Sequence, residues 1–261
     1  MTRIPSIIGL SAALVSVGLA VAGCGGEPPS EPIASVQSDL MTTQFSWIQG
    51  VSKPTIDIGS AATQFCFLTS ISGKFEGGGE SIHLKVENGR WLLTGSSNQV
   101  GVEALARCQV VTNPVITDES TWMQPQGTRE MFLGLTSDRA CFLMGVQGRF
   151  RGAGEAVWVR RAGDSLWLGG QSQQAGVGGW ARCLVNHTAF LNEWTWSQGF
   201  APTPMVQALT ENNGWACGLT RMTGNFRGGG EQIFIDWTGT TRRLLGNSQQ
   251  SGVGASANCF F

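Results

Sequence analysis

The sequence predicts an all-β fold made of three tandem repeats, each about 75 residues long. One observation is a pair of cysteines that recurs three times with constant spacing. Another is a set of segments in which polar and apolar residues alternate with a period of two, as in half-buried strands. Composition agrees, because 37 glycines and only 13% charged residues do not suit amphipathic helices. Each repeat is therefore expected to be a small antiparallel β unit closed by one disulfide, and the units lie either as beads in a row or around a pseudo-threefold axis.

Six of the seven cysteines fall two to a repeat, always 42 positions apart. Of the fifteen ways to pair six cysteines, the simplest lets every repeat fold alike. It joins Cys66 to Cys108, Cys141 to Cys183 and Cys217 to Cys259. A bridge that closes a loop of this length contributes at most about 4 kcal/mol through the entropy of the unfolded chain. A unit of this size has a small core, so these bridges are expected to matter for stability.

The segment from the first to the second cysteine of each repeat, the cysteine bracket, is predicted to hold about four strands. In repeat 1 they run from Cys66 to Phe75, after Glu80, around Leu93 and up to Cys108. An Asn-Gly turn signal at positions 88 and 89 separates the second strand from the third. Ahead of each bracket stands a tryptophan that is expected to anchor the core, because its large side chain gains most from burial. These tryptophans are Trp47, Trp122 and Trp196.

A glycine-rich stretch precedes the second strand in every repeat, with the pattern G-x-F-x-G-[GA]-G-E. It lacks the Lys-Ser/Thr pair of a phosphate loop and precedes a strand rather than a helix, so phosphate binding is disfavoured. Tight turns or bulges explain the glycines better, with the phenylalanines packed inward. Those phenylalanines are Phe75, Phe150 and Phe226.

The N-terminus has the features of an export signal. Arg3 precedes an apolar run from residue 7 to residue 21, and small residues close the run at Val21-Ala22-Gly23-Cys24. This tetrapeptide resembles the lipobox of bacterial lipoproteins, and the resemblance implies cleavage before Cys24 and lipidation of that cysteine. An ordinary signal peptide and a short transmembrane segment are the alternatives, but the apolar run is too short to span a bilayer well.

The resulting organisation has five parts. Residues 1–23 are predicted to be a lipoprotein signal peptide, and residues 24–43, which begin rich in Gly and Pro, a flexible tether. The repeats occupy residues 44–110, 111–185 and 186–261. No other segment is long and apolar enough to cross a bilayer, so acyl chains on Cys24 are the expected membrane contact. The predicted location is the bacterial cell envelope outside the cytoplasm, at the outer membrane or cell surface.

Three polar residues are retained in every repeat and form the candidate binding set: a glutamate after the glycines, then a serine and a glutamine. Serine and glutamine are two positions apart, so on an extended segment they point to the same side. One interpretation is that the set satisfies backbone groups freed by the glycine-rich turn. The other is a shallow site for sugar hydroxyls, repeated three times. The set comprises Glu80, Ser97 and Gln99; Glu155, Ser172 and Gln174; and Glu231, Ser248 and Gln250.

Other chemistries find less support in the sequence. The two histidines, His83 and His187, occupy non-equivalent positions and no cysteine pair has C-x-x-C spacing, which disfavours a metal site. A catalytic triad cannot recur with the repeat and no second carboxylate recurs near the glutamates, so neither catalysis nor a cofactor is expected. With a formal net charge of −1 and no long basic run, nucleic acid is not an expected partner.

The sequence thus predicts a lipid-anchored binding protein with three repeated sites and no enzymatic activity. Carbohydrate is the favoured ligand, because a nearly neutral surface rich in tryptophan and without tyrosine suits an uncharged partner. A structural or protein-interaction role, with an envelope protein as partner, is the alternative, followed by an enzyme that acts through one repeat. Tryptophans that vary between repeats are candidates for exposure: Trp158, Trp167, Trp180, Trp215 and Trp237.

Overall fold

The computed structural model describes residues 43–126, 129–174, 176–189, 193–207, 215–238 and 241–260. The predicted signal peptide, Cys24 and the tether up to residue 42 lie outside the described residues. In the described part the chain forms β-strands and one short 3-10 helix, Gln124–Gln126, so the all-β prediction is confirmed. None of the described segments is a helix of the length and apolar character that a bilayer span requires.

The strands follow one another in a pattern that repeats along the chain. Repeat 1 contributes β1 (Gln44–Ile48), β2 (Thr55–Ser60), β3 (Gln64–Ser72), β4 (Ser81–Glu87), β5 (Arg90–Ser96) and β6 (Glu103–Val110). Repeat 2 contributes β7 (Val115–Ile116), β8 (Ser120–Met123), β9 (Met131–Leu135), β10 (Arg139–Gln147), β11 (Ala156–Ala162), β12 (Ser165–Gln171) and β13 (Gly178–Val185). Repeat 3 contributes β14 (Trp194–Ser197), β15 (Thr203–Gln207), β16 (Ala216–Thr223), β17 (Gln232–Asp236), β18 (Thr241–Asn247) and β19 (Gly254–Phe260).

Three antiparallel sheets result, and each combines strands of two repeats. Sheet A has the order β1-β6-β3-β17-β18-β15, sheet B β2-β5-β4-β10-β13-β7 with β8 also on β13, and sheet C β14-β19-β16-β11-β12-β9. The β4–β5 hairpin of repeat 1 joins β10, the equivalent hairpin of repeat 2 joins β16, and that of repeat 3 returns to β3. This cyclic exchange closes a ring, so the repeats surround a pseudo-threefold axis and are not beads in a row.

The retained phenylalanines meet on the axis of the ring. Phe75, Phe150 and Phe226 are fully buried, with ring centroids 6.1–6.3 Å apart in edge-to-face contact. Their backbones also form a closed cycle: each amide donates to the carbonyl oxygen of another, at 2.8, 2.8 and 2.7 Å. The hydrogen-bond cycle needs all three repeats, and the mutual packing of three rings about the axis explains why phenylalanine stands in each.

The glycine ahead of each phenylalanine makes the turn toward the axis, as predicted. Gly73, Gly148 and Gly224 have φ values of +100°, +93° and +104°, where a side chain is strained. Their amides donate to the backbone carbonyls of the retained glutamates of neighbouring repeats at 2.8–2.9 Å. A side chain on Gly73 would also overlap the carbonyl group of Gly101, so both the backbone angle and the lack of space require glycine.

The retained tryptophans join adjacent sheets, and their prediction as core anchors is confirmed. Trp47, Trp122 and Trp196 are 4%, 1% and 5% exposed. Each stands on an outer strand of one sheet and lies over a glycine of the next: Trp47 of sheet A covers Gly95 of sheet B, where an added methyl group would lie 2.5 Å from the ring. The same contact recurs between the other sheets, where Trp122 lies against Gly170 and Trp196 lies against Gly246.

All three predicted disulfides are present. Each joins residues that lie directly opposite one another on paired strands, as Cys66 and Cys108 do on β3 and β6. The four strands predicted inside each bracket also occur, with Asn88 and Gly89 at positive φ in the predicted turn. The bracket nevertheless divides its strands between two sheets, because its inner hairpin belongs to the sheet of the next repeat.

Candidate functional site

The retained glutamates lie beneath the glycine-rich turns and do not face solvent. Glu80, Glu155 and Glu231 are each 4% exposed. In every copy the carboxylate lies against the glycine three positions earlier, so closely that a Cβ there would come within 2.6 Å of Oε2. That oxygen is buried without a hydrogen-bond partner in all three repeats. The glutamates therefore fill the inside of the turn, which leaves no open face for a ligand around them.

The retained serines cap the turns in which the retained glutamines stand. Ser97 Oγ accepts a hydrogen bond from the Gln99 amide at 2.8 Å, a local side-chain-to-backbone turn. The same contact measures 2.9 Å between Ser172 and Gln174 and 2.8 Å between Ser248 and Gln250. In repeat 3 the Gln250 side chain also accepts from Asn225 at 3.4 Å. The structure thus joins each serine to its glutamine through the backbone, while each glutamate lies under its own turn.

The tryptophans that vary between repeats are half-buried, and polar or aromatic neighbours cover part of their surface. The Trp180 ring stacks on His83, with centroids 4.2 Å apart. Trp237 lies between the guanidinium groups of Arg107 and Arg242, at 4.6 and 4.5 Å from its ring centroid. Ring stacking holds Trp180 and cation–π attraction holds Trp237, and these contacts occupy ring faces that a sugar would use.

A pocket lies over sheet C at the end of the molecule that holds the disulfides. It has a volume of about 450 Å³, part of it open to solvent. Its wall includes the polar side chains of Arg161, Glu193, Thr220 and Asn258 and the apolar ones of Val159 and Leu166. It therefore offers hydrogen-bond donors and acceptors beside an apolar surface.

Differences between repeats open this pocket. The position of Leu166 is held in repeat 1 by Trp91, which is fully buried and donates a hydrogen bond from Nε1 to the Gln64 carbonyl at 3.0 Å. Leucine fills much less volume than tryptophan, and Leu166 lies in the wall of the pocket, so part of the equivalent space over sheet C stays open.

Glu193 supplies the carboxylate of the pocket. Much of the residue is exposed, but its carboxylate is enclosed and accepts hydrogen bonds from Thr220 Oγ1 at 2.7 Å and from the buried Ser256. Burial raises the pKa of Glu193, an effect that these hydrogen bonds and the nearby Arg221 oppose without cancelling. Thr220 and Ser256 therefore fix the carboxylate in place on the wall of the pocket.

In the other two repeats, the residues equivalent to Glu193 have different side-chain partners. Aligned through the retained tryptophans, its counterparts are Gln44 and Glu119. Gln44 accepts from Arg107 at 2.8 Å, and Glu119 lies 3.6 Å from Arg182. The counterpart of these arginines in repeat 3 is Asn258, which is shorter and uncharged. The exchange of arginine for asparagine removes the cation at this position and adds space beside Glu193, while Arg221 supplies a nearby positive charge from another position.

Sequence reasoning missed this pocket because it sought residues retained in all three repeats. The signal lay in positions where one repeat departs from the others: leucine where repeat 1 has Trp91, and asparagine where repeats 1 and 2 have arginine. Within the described residues no cluster of histidine, cysteine or carboxylate side chains is arranged to hold a metal ion.

Comparison with known proteins gave no match: no protein-family model, no curated protein and no solved structure resembles the chain significantly.

Proposed function

We propose that the protein is an extracytoplasmic, lipid-anchored binding protein that takes a carbohydrate in the pocket over sheet C. The observation that carries the proposal is the enclosed carboxylate of Glu193 beside polar donors and an apolar wall. This pocket differs from the three sites expected from the sequence, whose glutamates are buried under their turns.

The chemistry of the pocket suits a sugar ring. A carboxylate accepts hydrogen bonds from two adjacent hydroxyls, and charge-assisted bonds of this kind are stronger than neutral ones. Arg161 and Asn258 bring donors from the opposite strands, while Val159 and Leu166 offer an apolar surface to the C–H face of a ring.

The proposed location follows from the three disulfides and from the N-terminal sequence. Disulfides persist in oxidising compartments outside the cytoplasm. The lipobox-like tetrapeptide that ends at Cys24 supplies the anchor, and the segment after it supplies the tether. The ligand is then a glycan of the cell envelope or of the cell's surroundings.

The test is a glycan array probed with the purified chain and two matched variants. Leu166→Trp places in the pocket the residue that repeat 1 carries at Trp91, so it should fill the pocket without adding charge. Glu193→Gln keeps the shape and removes the carboxylate. We expect both variants to lose binding at least tenfold while their near-ultraviolet circular dichroism shows a folded chain.

The control is the triple change of Gln99, Gln174 and Gln250 to Ala, which should leave binding within about twofold. Loss of binding in this control alone would move the site to the retained turns. Absence of binding by the unmodified chain would refute the carbohydrate proposal and turn the search to an envelope protein. Release of new reducing ends from a bound oligosaccharide would show an enzyme in place of a binding protein.

A further inference from the structure

A group of cations lies at the end of the axis where the three retained phenylalanines meet. In repeat 1 the residues before and after the phenylalanine lie on one side of the chain, where Lys74 Nζ and Glu76 Oε2 are 2.7 Å apart. Because the three rings pack together, the equivalent positions of all the repeats share this end of the molecule. We call it the axial face, and its charged residues are Lys74, Glu76, Arg149, Arg151 and Arg227.

One carboxylate of the axial face is shared by cations from all three repeats. Besides its contact with repeat 1, Glu76 lies 3.6 Å from both Arg151 and Arg227. At this distance the guanidinium groups are ion-paired with Glu76 but not hydrogen-bonded to it. Their side chains are 41% and 50% exposed, so N–H donors of both remain accessible to another anion. By contrast, Arg90 is hydrogen-bonded to a carboxylate of its own, Asp57, at 2.9 Å.

The retained glutamates do not present further negative charge on this face. They lie beneath the glycine-rich turns and are 4% exposed, whereas Arg149, Arg151 and Arg227 are exposed. A surface that approaches along the axis therefore meets four cations and one carboxylate.

Apolar side chains are exposed at the same end of the strands. Among the described residues, the most exposed large apolar side chains are Val51, Phe200 and Val100, at 78%, 75% and 67%. Val100 adjoins the axial face, because its carbonyl accepts a hydrogen bond from the Lys74 amide at 3.3 Å. Val51 and Phe200 occupy equivalent turns after β1 and β14, which both end here. Cations beside exposed apolar side chains suit a membrane surface with anionic headgroups, because such a surface attracts the charges and takes up the apolar groups.

We propose that the axial face docks on a membrane surface that carries anionic lipid headgroups. The arginines bind headgroup phosphates through charge-assisted hydrogen bonds, and the exposed valines and phenylalanine enter the interfacial layer. The membrane thereby becomes a partner of the folded repeats and not of the anchor alone.

The proposed lipid anchor is compatible with this orientation, and the proposal rests on it only for the location of the protein. Strand β1 begins away from the axial face, where Gln44 pairs with Arg107. Residues 24–43 reach at most about 70 Å when extended. Strand β3, with nine residues, is only about 30 Å long. A chain anchored at Cys24 can therefore turn its axial face to the membrane.

Chemical footprinting of the full chain on vesicles tests the docking. Phenylglyoxal modifies accessible arginines, and mass spectrometry gives the rate at Arg149 and, as an internal reference, at exposed Arg243 in the part of β18 distant from the face. Vesicles of equal parts phosphatidylglycerol and phosphatidylcholine are compared with vesicles of phosphatidylcholine alone. We expect the anionic vesicles to slow modification at least about fivefold at Arg149 and less than about twofold at Arg243. Salt at about 1 M should abolish the protection, because it shortens the screening length to about 3 Å.

Two charge-matched double variants locate the docking surface. Arg151→Gln/Arg227→Gln removes two cations of the axial face and should abolish the protection of Arg149. Arg90→Gln/Arg243→Gln removes two exposed arginines elsewhere and should leave that protection within about twofold. The proposal is overturned if neutral vesicles protect Arg149 as well as anionic ones do, or if the two double variants lose protection equally.

The apolar side chains distinguish a membrane from a soluble polyanion. Val100→Ser/Phe200→Ser should weaken the protection of Arg149 by anionic vesicles at least about threefold. The membrane proposal is overturned if this variant is protected like the parent chain and dextran sulfate protects Arg149 as well as vesicles do. Flotation with neutral vesicles tests the anchor separately: a chain that fails to float but is protected by anionic vesicles refutes the anchor and supports the docking face.

Discussion

The contact between Trp47 and Gly95 provides a quantitative test of how the sheets are held together. An added methyl group at position 95 would lie 2.5–2.7 Å from three carbons of the Trp47 ring. Ordinary carbon–carbon contact begins near 3.5 Å, so the ring would have to move by roughly 1 Å. Overpacking of this size costs about 1–3 kcal/mol of unfolding free energy. Gly95→Ala should therefore destabilise the fold by about 2 kcal/mol.

The matching change Trp47→Ala leaves a cavity and should cost about 3–5 kcal/mol. In that background Gly95→Ala has no ring to displace, so its cost should vanish, giving a coupling energy of about 1–3 kcal/mol. Gly78→Ala is the control, because nothing lies within 4 Å of its Cβ position. Urea unfolding of the four chains of the cycle measures the coupling. An equal cost of Gly95→Ala with and without Trp47 would refute the argument that this contact requires glycine.

Three further predictions concern the axis, the disulfides and the pocket. Gly224→Ala should lower the unfolding free energy by more than about 2 kcal/mol, because φ is +104° and the added methyl group overlaps the Gly252 carbonyl. Gly230→Ala is the control and should change the unfolding free energy by less than about 1 kcal/mol, because nothing lies within 4 Å of its Cβ position. Replacing Cys141 and Cys183 by alanine should cost about 4 kcal/mol in denaturant unfolding for a loop of 42 residues; a loss below 1 kcal/mol would contradict the entropic account. The raised pKa of Glu193 means that the folded state holds its proton more tightly than the unfolded state, so wild-type stability falls as pH rises from the ordinary carboxyl range through the folded pKa. Glu193→Gln should then be more stable than wild type at neutral pH and equal to it at acid pH in unfolding curves, and a gain of the same size at both pH values would contradict the prediction.

Much of the local structure could be predicted because the repeat supplied its own comparison. Alternation of polar and apolar residues located the strands, and equal cysteine spacing located the disulfides. Burial of Trp47 and Phe75 followed from their presence in every copy, since three equivalent core positions require the same shape. Local pattern and self-similarity were sufficient for these features.

The exchange of hairpins between sheets could not be predicted in the same way. Strand β4 carries the same alternating pattern whether it pairs with β3 of its own repeat or with β10 of the next. The choice depends on long-range contacts, such as the backbone cycle of Phe75, Phe150 and Phe226, which no single repeat can form. The sequence also could not decide between the two interpretations of the polar set, because the burial of Glu80 beneath its turn depends on the fold.

The two ends of the axis differ in how strictly the three repeats agree. At the phenylalanine end, the glycines and phenylalanines are the same in every copy, because the glycines have positive φ and the three rings pack against one another. At the disulfide end, the position of Trp91 becomes leucine in repeat 2 and arginine in repeat 3. Leu166 lines the pocket described above, beside Glu193 and beside Asn258, which takes the place of the arginines of repeats 1 and 2. The proposed site therefore arises where the threefold pattern is broken, and the retained residues provide the rigid ring that holds it.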